Sequence, residues 1–191
     1  MKNTSKPAVF MYGTMLVMAL LSCACFGVYY LGFLKNEFVY WTGIVSFMIL
    51  YHFGLRILFG IITKRFKIDY EHFWFKQRAF EKPLYRFLKV RLWKDKVLTF
   101  DPASYDFKNR TLAELATTMA KSELDHWINE VISVVSILFV FVFGCLPAFL
   151  ITAVLAMLFD AQFIVVQRYN RPIVLRLIER REKKSKKTVS V

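Results

Sequence analysis

Long apolar stretches alternate with crowded charged ones along this chain, and the alternation alone outlines its architecture. Between Pro7 and Leu34 no residue is charged. A run of this length reads as a membrane span, because roughly 20 apolar residues cross a hydrocarbon core about 30 Å thick. A polar turn, Lys35-Asn36-Glu37, separates this first span, residues 9–34, from a second at 38–62. The charged segment 64–126 follows. A further apolar region is punctuated by Gly144 and Pro147, which predicts two more spans, 127–144 and 147–166, joined by a short turn. Their arms are short enough that a pair of re-entrant helices stands as the alternative. Residues 168–191 form a basic tail, helical to about Lys184 and frayed beyond. The fold expected is an all-α integral membrane protein, a single membrane domain of about four transmembrane helices in two hairpins, with a cytoplasmic interfacial segment between them.

That segment has its own pattern. Phe73, Trp74, Phe75, Phe80, Tyr85, Phe87 and Trp93 interleave with lysines and arginines. From Pro83, placed to open a helix, Leu84, Phe87, Leu88 and Leu92 recur at helical spacing with cations between them. A helix lying in the headgroup plane, apolar face down and basic face up, has this appearance.

Composition changes the picture in one respect. The formal net charge of +13 suggests nucleic acid at first sight. Yet residues 64–125 carry 14 of the Lys/Arg and the tail from Arg168 carries nine, whereas the turn at 35–37 has one and the Gly144 turn none. Positive residues collect on the cytoplasmic side of spans, so both termini and the middle segment are assigned there, at a cytoplasmic membrane. The charge is then explained by orientation and by anionic lipid or phosphate, and no nucleic-acid partner is expected. The N-terminal run exceeds the 7–15 residues of a signal h-region, so the weak box Leu20-Leu21-Ser22-Cys23 reads as part of an uncleaved span. Cys23, Cys25 and Cys145 lie in apolar runs without ligand spacing and read as packing residues.

Three places hold candidate chemistry. Leu112, Leu115 and Met119 share a helix face, and the same steps lead to Glu123, His126 and Glu130. A carboxylate three residues before a histidine can orient the imidazole and keep it basic, as a general base requires. The alternative makes His126-Trp127 an interfacial anchor and Glu123 a solvated charge. Second, Arg56 precedes Lys64 by eight residues and Asp160 precedes Arg168 by eight. At 1.5 Å per residue both lie about 12 Å inside the boundary, where charges pair or face a polar cavity. The two are expected to face each other, with His52 one turn deeper than Arg56, as a cavity floor or a buried ion pair. Third, the last span exits through Gln167-Arg168-Tyr169-Asn170-Arg171-Pro172, where two guanidiniums three apart can fork onto phosphate.

With these stretches in view, the chain resembles the glycosyl-4,4'-diaponeurosporenoate acyltransferase family, membrane proteins that acylate the sugar of a glycosylated carotenoid. The likeness rests on Phe80-Glu81-Lys82 with Val90-Arg91-Leu92-Trp93-Lys94-Asp95-Lys96-Val97-Leu98, on Glu123-Leu124-Asp125-His126-Trp127, and on Val165–Pro172 at the span exit. The resemblance implies an O-acyltransferase. It would move a fatty acyl group from a cytoplasmic thioester, acyl-CoA or acyl-carrier protein, to a hydroxyl of a membrane glycolipid. His126 and Glu123 would then be catalytic. Arg168, Tyr169, Asn170, Arg171, Arg91, Trp93 and Lys94, with Arg56 and Asp160, would bind substrate. No permanently bound cofactor is implied, and enzymes of a glycolipid pathway are the expected partners. Two other classes stay open: a non-catalytic membrane module that binds lipid or a partner, and a metal site gathering Glu123, His126, Glu130 and Asp160.

Overall fold

In the computed structural model, residues 6–97, 99 and 101–189 are described; Lys2, Leu98, Phe100 and the last two residues of the tail lie outside them. Every regular element among the described residues is helical. Seven α-helices run α1 Lys6–Tyr30, α2 Glu37–Thr63, α3 Glu81–Phe87, α4 Val90–Trp93, α5 Leu112–Ser136, α6 Val140–Phe143 and α7 Leu146–Val189, with short 3₁₀ turns between. Four of the helical stretches are long and apolar enough to cross a membrane: Val9–Tyr30, Glu37–Thr63, Leu112–Phe143 and Leu146–Lys187. The chain is an all-helical membrane protein, as its pattern predicts.

Several boundaries move from the expected ones for local reasons. The first span stops at Tyr30, because Gly32 takes φ 82° and turns the chain. Leu31–Leu34 therefore belong to the turn, and Asn36 caps α2 by accepting a hydrogen bond from the Phe38 N–H at 2.7 Å. Gly144, at φ 75°, ends α6 in the left-handed conformation that glycine adopts without strain. Pro147 then falls in the first turn of α7, where its missing N–H costs nothing. The amphipathic helix predicted from Pro83 is corrected twice. It begins at Glu81, two residues earlier, and it breaks at Lys89, whose φ of 49° separates α3 from α4. Its apolar residues still face outward, with Phe87 82% and Leu92 70% exposed, so they are not held in a protein core. The tail is helical past Lys184 to Val189, in one 44-residue helix that runs through Pro172.

Contacts divide the chain into two compact units where the sequence suggests a single domain. The first comprises residues 1–64 and 127–161. Its core joins Ile44 and Met48 of α2 to Ala148 and Phe149 of α7, ringed by Phe26, Tyr40, Phe47, Phe139 and Phe143. Helices α1 and α2 approach closely at Gly43, where an added Cβ would come within 3.1 Å of the Phe26 ring. Ser22 Oγ donates to the Gly43 carbonyl at 3.3 Å, and Tyr40 Oη to that of Phe143 at 3.0 Å. In an apolar surround such bonds satisfy groups that water does not reach. The second unit comprises residues 65–126 and 162–191. It packs Leu115, Ala116 and Met119 of α5 on Val174 of α7, with Tyr70, Tyr105 and Ile178 alongside. The stripe that leads from Leu112 towards Glu123 is thus a core face.

Candidate functional site

The second unit holds a buried network of four charges. Glu123 is fully buried and Arg171 is 1% exposed. Arg168 Nη1 meets Glu123 Oε1 at 2.5 Å, and Arg171 Nη1 meets Glu123 Oε2 at 2.5 Å. One carboxylate therefore bridges two guanidiniums spaced three residues apart on α7, which places both on one helix face. Arg168 reaches a second carboxylate, Glu81 of α3, through Nη2 at 2.5 Å and Nε at 3.0 Å. The other Glu81 oxygen accepts from Tyr85 Oη at 2.7 Å. Backbone carbonyls take further donors: Trp74 at 3.2 Å and Lys76 at 3.1 Å from Arg168, and Phe75 from Arg171. Arg171 also lies over the Phe75 ring, 5.0 Å from its centroid, a cation–π contact.

Two acids against two cations leave the cluster near neutrality, which is the condition under which buried charges are tolerated. Burial, and then the hydrogen bond to Glu81, holds the Tyr85 phenol well above the ordinary tyrosine range, so it stays a neutral donor. Pro172 lacks the N–H that would bond to the Arg168 carbonyl one turn earlier, a local gap in the α7 ladder just where both arginines leave it.

This geometry revises two expectations. Glu123 was expected to orient His126, but both its oxygens are held by arginines. The cause is competition: guanidinium forks satisfy a buried carboxylate better than an imidazole on its own helix. Arg168 and Arg171 were expected to grip phosphate, yet every nitrogen of the Arg168 guanidinium and both Nη of Arg171 are committed to carboxylates and backbone carbonyls, and only Arg171 Nε, itself buried, makes no hydrogen bond among the described residues. His126, on α5, is half-buried and stacks on Phe163 of α7, with centroids 4.5 Å apart and planes within 3°. Tyr169 packs edge-on against Tyr85 at 5.6 Å, and Lys94 sits over its ring at 5.9 Å while pairing with Asp95 at 2.7 Å. Trp93 Nε1 donates to the Leu88 carbonyl at 2.9 Å and so closes the α3–α4 break. Asn170 is half-buried on α7. Arg91 is exposed and, with Tyr169, lines an open groove of about 800 Å³.

Arg56 and Asp160, in the first unit, do pair as predicted. Asp160 is fully buried, and its other oxygen accepts from Asn129 Nδ2 at 3.1 Å. Arg56 also approaches the Ala156 carbonyl at 3.5 Å. His52, one turn deeper, is 5% exposed, and neither of its ring nitrogens makes a hydrogen bond among the described residues. The alternative of a four-residue metal cluster is not met: among the described residues no three of His, Cys, Asp or Glu come together in a metal-holding group. Glu123 and Asp160 are engaged by arginines instead.

Sequence reasoning missed Glu81, Tyr85 and Asn129 as members of these clusters. Glu81 had one visible signal: it is the single acid in the basic run from Lys76 to Lys94. A model of the glycosyl-4,4'-diaponeurosporenoate acyltransferase family matches residues 71–180, more than half of the chain, and spans the whole charge network. No curated protein and no solved structure matches the chain.

Proposed function

The chain belongs to the glycosyl-4,4'-diaponeurosporenoate acyltransferase family, and on that premise we propose that it moves a fatty acyl group from a thioester donor to a hydroxyl of a glycosylated, membrane-embedded lipid of carotenoid type. The observation that carries this reading is the family match itself, which contains His126 and all four members of the buried network. In the proposed step, the acceptor hydroxyl attacks the thioester carbonyl carbon while His126 takes its proton. The tetrahedral intermediate collapses, the C–S bond breaks, and the imidazolium returns the proton to the departing thiolate. Stacking on Phe163 supports this role, because it fixes the plane of the imidazole.

Glu123 contributes differently from a hydrogen-bonded orienting group. By tying α5 to α7 through Arg168 and Arg171, it anchors the helix that carries His126 three residues on. The donor is a thioester of coenzyme A or of a carrier protein. Both termini, the segment 64–126 and the tail lie on the cytoplasmic side in this reading, where a water-soluble donor meets a lipid acceptor.

A positioned general base contributes about 10²–10⁴ in rate, so His126→Ala is expected to lower turnover by that order with the fold intact. The assay uses the purified chain in nanodiscs, a long-chain acyl thioester and a glycosylated carotenoid acid, with the acylated product read by mass spectrometry. Wild-type rates from His126→Ala would remove the base assignment. No acylated product with either class of thioester would remove the acyltransferase reading. A non-catalytic lipid-binding role, favoured by the outward Phe87 and Leu92, would then stand.

A further inference from the structure

The geometry points to the open groove of the second unit as the seat of the donor's nucleotide end, an adenosine bearing phosphates, as in coenzyme A. This rests on the acyl-transfer reading and names its donor. The groove, at about 800 Å³, falls within the range of small-molecule sites, about 300–1,000 Å³. Its wall carries Lys76, Lys82, Arg86, Lys89, Arg91 and Arg176, opposed by the single acid Glu179. All six cations are exposed, and among the described residues none of the six pairs with a carboxylate. This contrasts with Arg168 and Arg171, whose charge is already neutralised. Phosphate binding, which the sequence places on Arg168 and Arg171 with Arg91 and Lys94, is thus better served by Arg91 together with the other exposed cations of α3, α4 and their flanks.

The half-buried Tyr169 also lines the groove, with the buried aromatics Phe75 and Tyr85 beside it. Aromatic surface beside cations suits a purine with attached phosphates, since the base stacks while the cations meet the oxygens. A phosphopantetheine arm on a carrier protein offers one phosphate and no base, and uses less of this surface. The buried network holds these rings in place: the Phe75 carbonyl accepts from Arg171, and the Tyr85 hydroxyl donates to Glu81. The left-handed Lys89 brings Arg91 round to the same groove as Arg86.

The test is direct binding to the full chain in nanodiscs of neutral lipid. Fluorescent coenzyme A is the probe, with adenosine 3',5'-bisphosphate, phosphopantetheine and phosphatidylglycerol nanodiscs as separate competitors. Arg86→Glu with Lys89→Glu is expected to weaken coenzyme A binding by at least tenfold, and Lys108→Glu, outside the groove, to leave it unchanged. Adenosine bisphosphate should compete and phosphopantetheine should not. Binding should also weaken steeply with salt, as exposed charge contacts do. Three results would overturn the assignment: coenzyme A binding indifferent to the double reversal, competition by phosphopantetheine as effective as by the nucleotide, or displacement by anionic lipid but not by the nucleotide. The acyl-transfer reading fails separately. Acylated product formed from carrier-protein thioester, undiminished by the double reversal, would sink the groove and keep the reaction. Nucleotide binding without any acylated product would do the reverse.

Discussion

Two buried charge clusters sit among the described residues, and they are built on different plans. In the first unit, Arg56 meets one carboxylate, Asp160, with Asn129 supporting the acid and His52 close in sequence but making no hydrogen bond among the described residues. In the second unit, Glu123 and Glu81 share Arg168 and Arg171, with a tyrosine and three backbone carbonyls completing the set. The first is a pair that neutralises two charges which an apolar span does not tolerate singly. The second is a cross-brace: it joins α3, the Phe73–Phe75 turn and α5 to a single stretch of α7. A pair can be removed whole at small cost, whereas a brace cannot lose its central member.

The sharpest way to break that contrast is Glu123→Gln. It leaves two buried guanidiniums facing a neutral amide, and uncompensated buried charge costs about 3–5 kcal/mol. The expected outcome is a large drop in the thermal midpoint in detergent, with acyl transfer lost in the same step. A midpoint near wild type would show that the brace does not hold the second unit together.

In the first unit, Asp160→Asn and Arg56→Gln are each expected to destabilise by about 2–4 kcal/mol as insertion of a lone charge at span depth does. The double variant should be no worse than either single one. Additive losses would mean that the two side chains act independently, and the pair would not be a pair.

The smallest effect tests the rim of the brace. Tyr85→Phe removes one hydrogen bond to Glu81, worth about 1 kcal/mol, and His126→Ala should stand apart from all of these by changing rate more than stability. Because the Tyr85 phenol is raised above its ordinary value of 10.0, the unfolded chain ionises first as pH climbs. Its stabilising contribution is complete below pH 10 and is lost as pH rises beyond it. Phenylalanine at position 85 should flatten that alkaline loss, measured by denaturation between about pH 8 and 11.

Much of this was legible in the chain. The apolar runs, the turns at Asn36 and Gly144 and the continuous helix that carries Leu112 to His126 follow from local patterning. So did the Arg56–Asp160 pair, because equal depth below two basic boundaries and opposite charge leave few other partners. The interfacial helix was half legible: its outward apolar residues were visible, and its break at Lys89 was not, since lysine carries no turn signal. The site was less legible. Glu81 lies 87 residues from Arg168, and nothing in the spacing of either reveals the other.

By itself the sequence determined the helical membrane fold and the crowding of its positive charge into the segment 64–125 and the tail, because hydrophobic period and charge count are properties of neighbours along a chain. Only the tertiary structure decided which of those residues are spent on one another. It committed Glu123, Arg168 and Arg171 to a buried brace, placed His126 against Phe163, and exposed the cations of α3 and α4 along a groove. The physical reason is that a buried carboxylate must find its countercharge wherever packing brings one within about 3 Å, and that depends on which helix faces meet.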